Sequence, residues 1–281
     1  MNEAVLYVVA TPIGNRDDLS LRAIEILKSV DVIAAEDTRH SKRLLEYHQI
    51  KTPLLSLHEH NESQRLASLL ARLEQGQNLA LISDAGTPLI SDPGYRLVSA
   101  VREKSFRVVP VPGACAAITA LCASGLPTDR FVFEGFLPVK RGARQKHLKS
   151  LLRETRTLIF YESTHRIVDT LEDMLSVFGA GRRGVIAREL TKSFETIHEG
   201  AFDELLIWIK QDQNQQKGEF VVLVDGASDE ENSVEEAEVR RLLSILLKEM
   251  PLKQAVAIAT DITQGQRKSL YQLALELKNN S

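Results

Sequence analysis

The chain has 281 residues and a net charge of −3, with 43% hydrophobic and 26% charged residues. This balance suits one large or two smaller globular domains. The absence of any run of about 18 apolar residues speaks against a membrane span, and the acidic balance offers no global attraction for nucleic acid, so an RNA site has to be a local patch. The two cysteines, Cys115 and Cys122, lie in an Ala-rich apolar stretch. That excludes a disulfide framework and a CxxC metal site, reads as two reduced core thiols, and suits a cytoplasmic protein without a secretory leader.

Leu6-Tyr7-Val8-Val9-Ala10 predicts a buried strand, followed by a turn at Thr11-Pro12-Ile13-Gly14-Asn15 and a helix around Leu21, Ile24 and Leu27. Residues 30–35 predict a second strand. Asn61 with Gln64 forms a capping-box pattern for a helix carrying Leu66, Leu69, Leu70 and Leu73, stopped by Gly76. A strand over 79–83 leads to Asp92-Pro93, which has the form of an N-cap followed by proline at the first helical position. Residues 106–111 predict a strand and 114–123 a helix. The alternation specifies a mostly parallel sheet covered by helices, an α/β domain over 1–126.

The pattern restarts with strands over 131–136, 157–161, 185–190 and 220–224 and helices over 167–177 and 202–209, a second α/β domain over 127–227. The acidic run Ser228-Asp229-Glu230-Glu231-Asn232-Ser233 has no apolar anchor and predicts a linker. The rest of the 228–281 segment reads as helices turning at Gly265, a small helix-turn-helix-like module.

Ligands of open parallel sheets bind beyond the carboxyl ends of the strands, so the residues after each strand matter most. Ala10-Thr11-Pro12-Ile13-Gly14-Asn15 is neither GxGxxG nor a P-loop, which weighs against dinucleotide and nucleoside triphosphate sites; it also reads as a plain tight turn. Ala34-Ala35-Glu36-Asp37-Thr38-Arg39-His40 puts charges at a strand end, where they are either solvated or employed in a site. In residues 83–94, Gly86 permits close backbone approach to a ligand. Asp84 or Asp92 can accept hydrogen bonds from ribose or amino groups, although Asp92 suits a helix cap equally well. The small residues of Pro112-Gly113-Ala114-Cys115-Ala116-Ala117 let either a flat ring or a sheet pack against a helix start. In the second domain, charges gather in Tyr161-Glu162-Ser163-Thr164-His165-Arg166, in Arg188-Glu189-Leu190-Thr191-Lys192 and in Lys217-Gly218-Glu219.

Taken together, Pro12-Ile13-Gly14-Asn15, Ala35-Glu36-Asp37-Thr38-Arg39, Ser83-Asp84-Ala85-Gly86-Thr87-Pro88, Pro112-Gly113, Glu134-Gly135-Phe136-Leu137-Pro138, Phe160-Tyr161-Glu162-Ser163 and Arg188-Glu189-Leu190-Thr191-Lys192 resemble the tetrapyrrole methylase-like S-adenosylmethionine-dependent methyltransferases. Within that family the likeness, which runs over essentially the whole chain, is to the branch acting on ribosomal RNA. The resemblance implies two α/β domains with the cofactor in the trough between them, and a homodimer. It also implies methylation of the ribose 2′-hydroxyl of a cytidine in the decoding region of 16S ribosomal RNA, within the small ribosomal subunit. By position it implies cofactor contacts from Pro12, Asp84, Ala85, Gly86, Thr87, Pro88, Ala116 and Ala117, with Ser91 and Asp92 in the same loop, and from Tyr161 and Leu190 in the second domain.

S-adenosyl-L-methionine brings its own activated methyl group, so the protein mainly positions the partners and no metal is expected. A ribose hydroxyl is a weak acid that benefits from a base. Glu36, Asp37, Glu162 and Glu189 are candidates, with Lys217 if burial depresses its pKa. For RNA, Lys140, Arg141, Arg144, Lys146 and Lys149 crowd one segment, a local positive patch or a solvated helix face; Arg39 and Arg166 are further phosphate contacts nearer the cleft. Two rival readings stand beside this one. A methyltransferase for a small tetrapyrrole needs an apolar trough rather than a basic segment. A non-catalytic RNA-binding protein has no use for acidic groups at the strand ends, which repel phosphates unless they serve chemistry.

Overall fold

The computed structural model describes residues 4–58, 61–263 and 267–279. They form two compact units, one of Met1–Leu151 with Arg156–Asp225, the other of Leu152–Thr155 with Gly226–Ser281.

The first half of the larger unit is a sheet of β1 (Val5–Val9), β2 (Val32–Ala35), β3 (Leu54–Ser56), β4 (Leu79–Ile82) and β5 (Arg107–Val111). Their order is β3-β2-β4-β1-β5, and every pair is parallel. Helices α1 (Leu21–Ser29), α2 (Thr38–Tyr47), α3 (Glu62–Glu74), α4 (Tyr95–Glu103) and α5 (Ala116–Ala123) connect and cover it. Alternate residues of each strand serve opposite faces. Ile33, Ala35, Ala80 and Ile82 pack on Ala23, Leu27 and Leu45 of α1 and α2; Val32, Ala34, Leu79 and Leu81 pack on Leu69, Leu73, Leu97 and Val101 of α3 and α4. Both faces being covered, β2 and β4 are apolar and buried throughout.

Two local expectations are corrected here. Asn61 precedes α3 but makes no side-chain cap; its Oδ1 accepts from His58 N at 2.9 Å instead. Asp92 is not the cap of α4, and Pro93 is not its first residue. The helix starts at Tyr95 behind Gly94, whose φ of +120° no ordinary residue adopts readily and whose added Cβ would lie 2.6 Å from Leu81 Cδ2.

The second half is a sheet of β6 (Phe131–Phe136), β7 (Thr157–Ser163), β8 (Arg183–Arg188), β9 (Thr196–Ala201) and β10 (Glu219–Val224), in the order β6-β7-β10-β8-β9. Only β6 and β7 run parallel; the other neighbours are antiparallel, so the mostly parallel expectation holds for the first sheet alone. Helices α6 (Arg141–Ser150), α7 (Ile167–Phe178) and α8 (Phe202–Gln211) accompany it. Helix α5 joins the halves. Its Ala117, Ala120 and Leu121 pack directly on Ile159, Val185, Ala187, Val221 and Leu223 of the second sheet, and small alanines allow that close approach.

In the smaller unit, α9 (Asp229–Glu249), α10 (Leu252–Thr263) and α11 (Arg267–Asn279) bury Val239, Leu243, Val256, Ala259, Leu270 and Ala274 against one another. The acidic run expected as a linker is helical from Asp229 onward; the expected turn at Gly265 lies outside the described residues. Among the described residues, no helix is long and apolar enough to cross a membrane.

Candidate active site

The loops leaving β1, β4 and β5 meet the second sheet around a cavity of about 430 Å³. Ile13, Ala85, Gly86, Thr87, Ile90, Ser91, Asp92, Cys115 and Ala116 line it from the first half; the second half contributes apolar Phe136, Tyr161, Ala187, Leu190 and Val221 and a polar side that includes Glu162, His165 and Glu219. The site thus opens at the carboxyl ends of parallel strands, where helix and strand termini leave backbone groups free for a ligand.

The loops are fastened before any ligand arrives. Thr11 and Gly86 exchange both backbone hydrogen bonds, N to O at 2.8 and 3.0 Å. The Thr11 hydroxyl donates to Ser83 O at 3.1 Å, and Thr87 Oγ1 donates to Ala114 O at 3.0 Å. Gly86 takes φ +82°, and even Leu89 and Ser91 are held at +74° and +65°. Such conformations persist in non-glycine residues only where surroundings impose them, commonly at functional sites. Across the rim, Asn15 N donates to Thr191 Oγ1 at 3.0 Å, and a Cβ on Gly14 would lie 2.5 Å from Lys192 Cγ. Tyr161 Oη accepts from Ala117 N at 3.2 Å, an otherwise free donor in the first turn of α5; burial raises the Tyr161 pKa.

The charges sort into two groups. One is an acidic cluster of Glu36, Asp84 and Asp92, of which Asp92 lines the cavity. Burial and then Asp84 push the Glu36 carboxyl above its ordinary value. Burial and then Glu36 push Asp92 up to about 6, against a hydrogen bond from Ser83. The other group is paired. Glu162 is buried and accepts from Arg166 Nε (2.9 Å) and Nη2 (2.8 Å), Thr170 Oγ1 (2.7 Å) and Ser163 N (2.7 Å). Arg166 also donates to Leu137 O at 2.9 Å, so both members of that pair are occupied. Glu189 accepts from Lys192 Nζ at 2.8 Å and Glu219 N at 3.0 Å. Burial opposes its charge, yet these bonds hold its carboxyl below the ordinary range. Asp37 caps α2 by accepting from Arg39 N, which lowers its pKa, and faces the exposed Arg39 guanidinium at 3.4 Å. Lys217 Nζ donates to Asn214 Oδ1 at 3.0 Å.

Of the residues expected at the cofactor, Ala85, Gly86, Thr87, Ser91, Asp92, Ala116, Tyr161 and Leu190 line the cavity; Pro12, Asp84, Pro88 and Ala117 do not. In the basic segment, Arg144 turns inward. Its side chain is 4% exposed and Nη2 lies 2.7 Å from Asp173 Oδ2, with Arg141 Nε 3.0 Å from the other oxygen. Arg144 therefore binds α6 to α7 and is not available to phosphate. Lys140, Lys146 and Lys149 are exposed on and beside α6. The cysteines are also corrected: Cys115 is half-buried and lines the cavity, and Cys122 is exposed. Sequence reasoning did not single out Ile13, Ile90 or Phe136; apolar residues within polar loops were the available signal. Among the described residues, no cluster of three or more His, Cys, Asp or Glu is placed to hold a metal ion.

The profile of the Tetrapyrrole (Corrin/Porphyrin) Methylases matches residues 5–206. The chain belongs to this family of methyltransferases. A second profile, the RsmI C-terminal HTH domain, matches residues 233–278. The chain is 54% identical to Ribosomal RNA small subunit methyltransferase I of Escherichia coli O157:H7 over 98% of its own length and 96% of that protein's. It is 53% identical to the protein of the same name in Pseudomonas aeruginosa, over all of both chains. Solved structures sharing the fold include diphthine synthase (TM-score 0.60, 13% identity, 79% of this chain and 90% of that one) and the methyltransferase CobJ (TM-score 0.59, 19% identity, 80% and 95%).

Proposed function

We propose that the chain is a cytoplasmic, homodimeric enzyme that methylates 16S ribosomal RNA in the small ribosomal subunit, with S-adenosyl-L-methionine as donor. The acceptor in this reading is the ribose 2′-hydroxyl of a cytidine in the decoding region. The observation that carries it is the cavity at the strand ends, lined by Asp92 with Glu36 and Asp84 close to it, in a chain similar over its full length to ribosomal RNA small subunit methyltransferases.

The residues present fit the cofactor. The cavity is of the size that holds small ligands, Gly86 and Ala116 let backbone approach closely, and Tyr161 offers a flat apolar wall. The raised carboxyls of Glu36 and Asp92 mark a field that a cation relieves. When bound, the cofactor supplies a methyl group activated on a positively charged sulfur. Asp92, ionised above about pH 6 and lining the cavity, attracts that charge and is basic enough to take a hydroxyl proton. It suits that role better than Glu162 or Glu189, whose oxygens are engaged by cations. The exposed Lys140, Lys146, Lys149 and Arg39 serve phosphates. In the smaller unit Lys253, Arg267 and Lys268 surround a groove with Tyr271, suiting the 228–281 segment to RNA, with 1–126 and 127–227 as the two α/β domains.

The test uses small ribosomal subunits from a strain lacking the gene, incubated with the protein and methyl-labelled cofactor. Label is expected in the 16S RNA, retained in one cytidine nucleoside and absent from its free base, and eliminated by a 2′-deoxy substitution at the target. Label on the base refutes the ribose assignment. Transfer to a porphyrinoid but to no RNA refutes the RNA reading.

A further inference from the structure

We propose that Phe136 is the platform on which the base of the acceptor nucleotide stacks. The inference rests on the RNA-methyltransferase reading and adds the residue that holds the target base at the cavity mouth.

Strand β6 is not regular. Phe133 pairs with Ile159, whereas Gly135 pairs with Phe160 and Phe136 with Tyr161, so Glu134 is an extra residue in a β-bulge. Ile159 and Tyr161, two apart, share one face of β7. Phe133 and Phe136, three apart, therefore share that face too, which unbroken alternation would forbid. Both rings meet Tyr161 edge-on, with centroids 4.9 and 5.6 Å away. A regular strand would have turned Phe136 to the opposite side of the sheet.

The bulge is held firmly and at a cost. Gly135 takes φ +64°, and an added Cβ would lie 3.0 Å from Ser91 Oγ. The extra residue, Glu134, is fixed by His147 Nε2 at 2.9 Å, and the carbonyl of the buried Leu137 is held by Arg166 at 2.9 Å. What this arrangement delivers is a phenyl ring in the cavity wall that remains 56% exposed. Burial favours covering such a ring, so its exposed face is a site for another flat apolar group.

The chain that follows indicates the chemistry of that group. Val139 and Lys140 are exposed, and the Arg141 side chain is 70% exposed although its Nε reaches Asp173. A flat ring followed by cations is what a single-stranded nucleotide needs, with its base stacked and its phosphates neutralised.

The experiment compares the parent with Phe136→Ala, Phe136→Tyr and Phe136→Leu, using unmodified small subunits and labelled S-adenosyl-L-methionine. Phe136→Ala is expected to lower kcat/KM for subunits by roughly ten- to a hundred-fold, the effect of losing one base–aromatic stack. S-adenosyl-L-methionine affinity by calorimetry and the unfolding transition are expected to stay unchanged. Phe136→Tyr is expected to restore activity and Phe136→Leu, apolar but not flat, to fail. If the parent labels no RNA, the functional reading falls and the inference with it. If the parent labels RNA and Phe136→Ala does so with the same kcat/KM, the stacking role is refuted. The same holds if Phe136→Leu matches Phe136→Tyr, or if the loss tracks weakened cofactor binding.

Discussion

Asp92→Asn is expected to make the protein more stable and poorer at holding its cofactor. The Asp92 carboxyl rises from 3.8 to about 6, mainly through burial and next through Glu36. A rise of that size corresponds to about 3 kcal/mol of destabilisation once the group is ionised. Asp92 is only partly buried, so solvent screening reduces the figure to about 1 kcal/mol. The sign is fixed by proton counting. Between about pH 4 and 6 the folded protein binds more protons than the unfolded chain, so stability falls as pH rises through that window and stays lower above it. Asparagine does not ionise and avoids that loss. Denaturant unfolding should therefore find Asp92→Asn more stable than the parent by about 1 kcal/mol near neutral pH, the gap closing as pH falls through about 6 and vanishing near the unfolded value. Cofactor affinity runs the other way. By calorimetry the parent should bind S-adenosyl-L-methionine more tightly as pH rises through about 6, and the variant should bind it roughly ten-fold more weakly at neutral pH, a change of about 1.4 kcal/mol. S-adenosylhomocysteine, whose sulfur is neutral, should respond less. A variant no more stable than the parent at neutral pH, or parent affinity independent of pH, would show that the acidic cluster stores no repulsion for a cation to relieve.

Gly86→Val forces a branched residue to φ +82° with its Cβ 3.4 Å from Ile13 Cγ2; it is expected to abolish calorimetric cofactor binding while the unfolding transition persists. Arg144→Ala strips a hydrogen-bonded cation from the buried Asp173 and should destabilise by about 3 kcal/mol in denaturant. Lys140→Ala with Lys146→Ala should leave stability unchanged and reduce the salt slope of RNA binding by roughly 0.7 for each phosphate that is no longer neutralised. Gly135→Ala should lose about 1 kcal/mol of stability to its left-handed backbone and lower kcat/KM for subunits as Phe136→Ala does; full activity would separate the bulge from the ring's role.

Four strands of the first sheet were legible because helices cover both of its faces, so β2 and β4 are unbroken apolar runs; the short edge strand β3, half-buried throughout, was not. Where that condition fails, the reading failed too. Helix α2 buries only Ser41 and Leu45, too thin a stripe to register as a helix, and β9, Thr-Ile-His-Glu-Gly-Ala, is an edge strand without a fully buried residue. The antiparallel partners of β10 depend on which strands flank it in space, and strand composition does not carry that information.

The same distinction governs the site. Sequence locates ionisable groups at strand ends but does not say whether they neutralise one another. Glu162 is matched by Arg166 and Thr170 close by in the chain, while Arg144 finds Asp173 a full 29 positions away; in the sequence Glu162, Arg166 and Arg144 looked as chemically available as Glu36 and Asp92. Only packing separates them. Charges that found partners now hold helices and loops in place, whereas Glu36 and Asp92, crowded beside Asp84, keep a field that folding left unneutralised. Phe136 extends the argument to apolar groups. Period-two reading assigns it to the wrong face, and one unpaired residue, Glu134, reverses the assignment. At the acidic cluster and at the bulge alike, the fold departs from its local optimum where a ligand would make up the difference.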